Sequence, residues 1–427
     1  MKFFSKTDFL RLAQIFFGAA LFLLPLRIRS LIYFGEAYHA GFFDEYLAFF
    51  ANASEILFLI AFVFLGLAFI FEKIKFDFPP AKLLVPFAIL LALEILVVPV
   101  ARDPLLALLH FWRTLEFAGV AFFLASGIFG ARSVVRILAA ALFFQAALAL
   151  AQFFARGDIG FHFLGESFFD AMTFNVAKTV SASGETLIRG MGTLPHANIF
   201  AGLSALTLLA LANYARKHPL VYFVAVVILA GMFFAFSRAA TLAFFTGLAV
   251  LTVFQFRRRV FSAAAASAIF GILLVFFSAS FFARFENSAD SVSRFDQISQ
   301  ALTISRTNIL GVGRGSYTAA LAENFPNLEF WEIQPVHNFF ALKTAEESIF
   351  TALAWLGVFA TLGFFAFRKQ KFEALALLAG AFVLANFDHY FSSNFAGEAF
   401  LWIVFGLVIA EIADEPYFQK LAVKLTK

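Results

Sequence analysis

His337 stands in Gln334-Pro335-Val336-His337-Asn338, where a polar stretch gives way to an apolar one. Histidine titrates near neutral pH, so at such an edge it can act as a general base on a hydroxyl, or it can simply be satisfied by loop backbone. Arg189, Arg238, Arg294, Arg306 and Arg314 precede His337 within about 150 residues. The planar guanidinium grips phosphate oxygens two at a time and stays charged, so phosphate is the ligand that would give these arginines one shared purpose. The other reading is helix capping or contact with lipid headgroups. The segment Arg189-Gly190-Met191-Gly192-Thr193-Leu194-Pro195-His196-Ala197-Asn198 adds a second base, His196, with Asn198 as an orienting amide, or it is a plain turn with a helix cap. Ser237-Arg238 sits between two apolar runs with almost no loop, where a charge is costly unless it works or snorkels. Gly311-Val312-Gly313-Arg314-Gly315 looks like a phosphate-cradling loop, although no strand and helix frame it in the dinucleotide-binding pattern.

The elements that must position these groups are membrane helices. The chain has 427 residues, 62% of them hydrophobic and only 14% charged, against about 25% charged in soluble domains. Mean hydropathy is +0.87. Apolar runs of about 20 residues recur, each long enough to span a bilayer as a helix, and the short alternating segments of a closed barrel are missing. Twelve spans are expected near 9–26, 47–71, 83–101, 105–128, 133–155, 197–214, 219–237, 239–256, 260–282, 345–367, 371–387 and 394–411, in one all-α membrane domain over 1–427. The basic start (Lys2, Lys6, Arg11) with no small-residue cleavage site reads as an uncleaved first span. No cysteine is present, which removes disulfides, thiolate zinc sites and iron–sulfur clusters. The basic residues scatter over loops, so nucleic acid is not an expected partner. The lipid bilayer is.

Orientation follows from charge. With the N-terminus in the cytoplasm, Lys73/Lys75/Lys82, Arg132/Arg136, Arg216/Lys217, Arg257-Arg258-Arg259, Arg368/Lys369/Lys371 and the tail with Lys420, Lys424 and Lys427 all fall inside, and both termini are cytoplasmic. Arg27 and Arg29 are exceptions. Two long loops, 156–196 and 283–343, then lie outside, and the second is the longest polar segment of the chain, holding Arg284, Arg294, Arg306, Arg314 and His337. Thr179–Gly184 within the first reads as flexible. An enzyme at that face has no ATP and must use a substrate activated on the other side, which points to lipid-linked phosphates or diphosphates. Within the spans, Glu55, Glu94, Arg113 and Glu116 are expected to pair with one another or across helices, with a proton path as the other reading.

Four pieces of sequence in order resemble the O-antigen ligase and O-antigen polymerase superfamily of bacterial membrane glycosyltransferases. Arg189 to Asn198 resembles an R-x-x-G-T-x-x-H-x-N entry to a span. Phe236-Ser237-Arg238-Ala239-Ala240 resembles its S-R-[GA] element, Arg294 to Gly315 its loop of an arginine, an amphipathic stretch and G-x-G-x-G, and His337-Asn338-Phe339-Phe340 its H-N helix start. The likeness is best over 185–360 and weak over the first 130 residues. It departs from the family at Ala345-Glu346-Glu347-Ser348-Ile349, where a Glu-Leu-Gly run is usual and the glycine is lost.

The resemblance implies a multi-pass protein of the bacterial cytoplasmic membrane that moves a glycan from a polyprenyl-diphosphate donor to a glycan, lipid or protein acceptor on the outer face. It implies inversion at the anomeric carbon, no metal and no cofactor. His337 is then the general base. Arg189, Arg238, Arg294 and Arg314 bind the diphosphate, and His196, Asn198, Arg306 and Asn338 support them. Polymerase and ligase differ in acceptor, which the sequence does not separate. Two other classes compete: a transferase using polyprenyl-monophosphate sugars with Asp44 or Glu45 as its acidic catalyst, and a polysaccharide or lipid transporter without catalysis.

Overall fold

The computed structural model describes residues 8–39, 42–72, 74, 79–170, 172–174, 176–180, 184–214, 219–255, 260, 264–275 and 294–413. Arg284, Lys73, Lys75, Arg216, Lys217, Arg257 to Arg259 and the basic tail lie outside these residues, as do Ser181 to Ser183 of the stretch read as flexible.

The protein is a helical membrane protein. Among the described residues, six segments are long and apolar enough to cross a bilayer: α2 (Ala53–Glu72), α3 (Ala81–Val97, prolonged to Val100 by a 3-10 turn), α4 (Pro104–Ala125), α5 (Ala131–Ala155), α13 (Ile349–Arg368) and α16 (Phe395–Ile412). Shorter apolar helices are α6 (Ala197–Tyr214), α7 (Pro219–Phe234), α8 (Arg238–Phe254), α9 (Ala264–Val275) and α14 (Phe372–Phe387). α1 (Asp8–Leu23) packs along α2. α16 is the central post, buried over nearly its whole length and packed on α4, α13, α14 and α6. In lipid the gain comes from close van der Waals fit rather than from water release, which suits the many alanines and glycines at these contacts.

Two expected span boundaries move. Phe49–Asn52 form strand β4, which pairs antiparallel with β1 (Arg29–Tyr33), so the second helix starts only at Ala53. β2 (Tyr38–His39) and β3 (Phe42–Phe43) make a further short pair, and the connection from α1 to α2 is thus a small structured cover. The span expected from 345 is broken at Ser348, because that residue takes φ +89° and its hydroxyl caps the next helix by accepting the Thr351 N–H at 3.4 Å. Of the stretch read as flexible, Thr179 and Val180 belong to β5 (Lys178–Val180), which pairs with β6 (Thr186–Ile188) beyond it.

The described part of the second polar segment, from 294 on, also folds. α10 (Arg294–Thr307), α11 (Tyr317–Asn324) and α12 (Phe339–Glu347) enclose a small core of their own that includes Ile304, Val312, Tyr317, Leu321, Val336 and Leu342. The short α15 (Tyr390–Ser393) links α14 to α16 beside it.

Candidate active site

A cavity of about 780 Å³ opens between the α1–α2 connection, the 314–337 stretch and the α14–α16 connection. That size lies within the usual range for small-ligand sites, about 300–1,000 Å³. His337, His196, Asp388, His389 and Arg314 all line it.

His337 is placed by Asn338, whose side chain caps α12 by accepting the Ala341 N–H at 2.9 Å and donates to the Asn386 carbonyl at 3.0 Å. The His337 N–H donates to Gln297 Oε1 at 3.2 Å. The ring is 22% exposed, and its buried Nδ1 faces Asp388 Oδ1 at 3.5 Å. That distance is longer than a well-formed hydrogen bond, as catalytic contacts often are until substrate tightens them.

Asp388 in turn is fixed from the other side. Asn198 Nδ2 donates to Asp388 Oδ2 at 3.1 Å, and Asn198 Oδ1 accepts from Arg189 Nη2 at 2.6 Å. Arg189, Asn198, Asp388 and His337 form one continuous polar relay. Burial would push the Asp388 carboxyl up, but the His337 ring, His389 and His196 outweigh it and hold the group below the usual carboxylate range. His389 is buried, with its ring centre 5.0 Å from that of His337 and its Nδ1 2.5 Å from Ser393 Oγ. Burial lowers its pKa to about 3, so it is neutral at pH 7. His196 is lowered to about 3 as well, by burial first and then by Arg189, and its Nδ1 accepts the Asn198 N–H at 3.1 Å. The ring nitrogens and carboxylate of His337, Asp388 and His389 lie within 4.8 Å of one another, a grouping whose donor types could hold a metal ion.

The arginines separate into two kinds. Arg238 is exposed in the first turn of α8, and Arg294 begins α10 with its guanidinium 5.8 Å from the Phe387 ring. Burial lowers the Arg294 pKa, Asp388 opposes it and Arg238 adds to it, so Arg294 feels both charges, although neither Arg238 nor Arg294 lines the cavity. Arg189 is buried, away from the cavity lining. Its Nε donates to the Ala235 carbonyl at 2.7 Å, bracing the tight α7–α8 turn in which Phe236 takes φ +48° and from which Arg238 emerges. Arg314 is buried too. Its Nη2 donates to Glu398 Oε2 at 2.7 Å and the Ser392 carbonyl at 3.2 Å, its Nη1 bonds Thr114 Oγ1, and its Nε lies 3.7 Å from Glu347 Oε1. Arg306 is exposed on α10 and does not line the cavity.

The glycine run does not offer its amides to a ligand. The Val312 and Gly313 N–H groups donate to the Ala345 and Glu346 carbonyls at 3.0 and 2.9 Å, closing the C-terminal end of α12, and the Gly315 N–H donates to Glu346 Oε1 at 2.9 Å. Gly311, at φ +87°, lies so close to Glu346 that a Cβ would stand 2.2 Å from its carbonyl oxygen. The Arg189 to Asn198 segment is held from α5. Gln152 Oε1 accepts the Met191 and Gly192 N–H groups at 3.1 and 2.9 Å, and Gln145 Oε1 accepts that of Thr193 at 2.8 Å. Asp388, His389, Gln145 and Gln152 were not among the residues the sequence singled out.

Arg113 pairs across helices with Glu55 at 3.0 Å and stacks over Phe49. Glu94 lies 3.7 Å from Lys343 and accepts the Trp355 indole N–H at 3.2 Å. Glu45 is bound by Arg27 and Arg29 at 2.5 and 2.7 Å, and Asp44 caps the following 3-10 turn, so Asp44 and Glu45 both have work that holds this cover in place.

Residues 223–346 match the family model described as O-Antigen ligase. The match contains Arg238, Arg294, Arg306, Arg314 and His337, and it supports the superfamily that the four sequence pieces resemble. No curated protein matches the chain.

Proposed function

We propose that this protein transfers a glycan from a polyprenyl-diphosphate donor to an acceptor hydroxyl at the outer face of the bacterial cytoplasmic membrane, in the synthesis of a surface polysaccharide. The observation that carries the reading is the His337–Asp388 pair at 3.5 Å inside a cavity, with the Arg294 charge acting on Asp388 from beside it.

With Nδ1 turned to the Asp388 carboxylate, the ring keeps its proton on that side and leaves Nε2 for the acceptor. Nε2 takes the hydroxyl proton as the oxygen attacks the anomeric carbon. The bond from that carbon to the diphosphate oxygen breaks, and the diphosphate leaves with the electron pair. One displacement inverts the anomeric centre. Asp388 meets the positive charge that forms on His337, and Arg238 and Arg294 meet the negative charge on the leaving group. Arg189 and Asn198 position Asp388 and the Arg238 turn, and Arg314 holds the floor of the cavity. The step calls on no metal. Twelve crossings with both termini inside would put this cavity on the outer face.

The test uses purified wild type and His337→Ala, each given a polyprenyl-diphosphate glycan, with products sized by mass spectrometry. Lengthened glycans from wild type alone identify a polymerase, and transfer only with an added acceptor identifies a ligase. Full activity in His337→Ala removes the assignment.

A further inference from the structure

Four aromatic rings from three separate loops meet at the mouth of the cavity. Phe42 of β3 lies face to face with Phe330, centres 4.4 Å apart and planes 4° from parallel. Trp331 meets Phe330 edge-on at 5.0 Å, and Phe174, from the 156–196 loop, approaches Phe330 and Trp331 at 5.8 and 6.1 Å. Rings that cluster this way usually do so to bury themselves, yet Phe42 stays 50% exposed, Phe330 40%, Trp331 45% and Phe174 63%. A contiguous exposed apolar patch marks a contact surface. Phe42, Phe330 and Trp331 also line the cavity that holds His337.

The flanking charges decide what the patch fits. Phe330-Trp331 lie between Glu329 and Glu332. The Glu329 N–H donates to the Glu332 carboxylate at 2.9 Å, which fixes that acid beside the rings. Aromatic rings that sit among lipid headgroups work with lysine and arginine, which attract anionic lipid. Carboxylates repel it. Flat apolar faces beside hydroxyl-accepting carboxylates suit a sugar chain instead, because a pyranose offers a face of C–H bonds to the ring and donor hydroxyls around its edge.

We propose that Phe42, Phe330, Trp331 and Phe174, with Glu329 and Glu332, form a carbohydrate subsite that grips the sugar chain of a substrate some units away from the reacting hydroxyl. The proposal rests on the glycan-transfer reading above and names where the chain runs as it leaves His337. The sugar chain is carried either by the donor or by the acceptor, and the subsite chemistry is the same for both.

The experiment measures binding of wild type, Trp331→Ala, Trp331→Phe and Glu332→Gln to an array of bacterial surface oligosaccharides free of lipid, and to phosphatidylglycerol vesicles. KM is then measured separately for lipid-linked donor and for acceptor glycan. Losing one aromatic contact should weaken oligosaccharide binding up to about tenfold. Trp331→Phe should recover most of that loss, and Glu332→Gln should weaken binding without loss of the rings. A raised KM for donor alone or for acceptor alone tells which glycan runs over the rim. Unchanged oligosaccharide binding in Trp331→Ala, or loss of vesicle binding in its place, overturns the subsite. Oligosaccharide binding by a wild type that transfers nothing leaves the subsite standing and removes the transferase reading instead.

Discussion

Asn198 joins the start of one helix to the end of its neighbour: its Nδ2 lies 3.1 Å from Asp388 Oδ2, from the first turn of α6 to the residue that closes α14. The contact holds one carboxylate oxygen, and the other, which also accepts the His389 N–H, faces His337. Asp388→Asn keeps the shape but removes the charge that fixes the His337 tautomer, so transfer should fall by about 100-fold or more while the thermal midpoint changes little. Asn198→Ala should cost less, because Asp388 also accepts the His389 N–H at 2.9 Å. Rates by mass spectrometry, with folding checked by thermal scan, decide this. Equal activity in Asp388→Asn and wild type would show that His337 acts without its neighbour.

The arginines should divide by what surrounds them. Arg238→Lys keeps the charge but loses the bidentate grip, and should raise KM for a diphosphate donor with little effect on stability. Arg314→Lys should do the reverse. It leaves Glu398 and Glu347 buried with a poorer partner, and breaking a buried pair costs about 3–5 kcal/mol. Thermal unfolding in detergent and steady-state kinetics on the two variants separate the roles. Similar Tm losses in both would show that Arg238 is structural too.

Much of the frame was readable because apolar runs of bilayer length leave a helix few alternatives, and each expected span overlaps a described helix. His337, Asn198 and Arg189 were readable from local motifs. Their neighbours were not. Asp388 and His389 sit in a seven-residue connection, and nothing in that short stretch tells which distant histidine the acid will meet. Gln145 and Gln152 are seven apart on one face of α5, two polar residues in an apolar helix, and that spacing was a usable sign. Arg238 and Arg314 look alike in sequence. Their difference is set by Thr114 and Glu398, which are far away along the chain.

Ser348 carries two opposed effects. Its φ of +89° suits glycine, which the resembling family has near this position, while its hydroxyl caps α13. Ser348→Ala removes the cap and keeps the strain, and should lose about 1 kcal/mol. Ser348→Gly removes the cap but relieves the backbone, by a similar amount of opposite sign. The order of Tm should therefore be alanine lowest, with glycine near wild type. Glycine as low as alanine would mean that the backbone there is unstrained.

A reaction driven by His337 and Asp388 should be indifferent to chelators and sensitive to added zinc. Zinc needs the same lone pairs that the base and its partner use, and His337, Asp388 and His389 can reach one ion. EDTA should leave the transfer rate unchanged, and micromolar zinc should lower it. His389→Asn should blunt that inhibition. Loss of activity in EDTA, restored by a divalent ion, would instead make the cluster a working metal centre and would favour the acid-catalysed class of transferase.

Acid should weaken the fold through His389. Its pKa is about 3 in the native protein against 6.5 for the free side chain, owing to burial. Between those values the unfolded chain binds a proton that the native state refuses, so stability is complete above about 6.5 and falls as pH drops toward 3. His196 acts in the same sense. Glu346 opposes them. Burial raises it from 4.5 to about 7, so the native state holds a proton that the unfolded chain has released, and this group adds stability as pH falls from 7 to 4.5. The single-residue difference isolates the sign: between pH 7.5 and 5, Tm should drop less in His389→Asn than in wild type, and it should drop more in Glu346→Gln. An equal drop in all three proteins would show that neither group changes its proton affinity on folding.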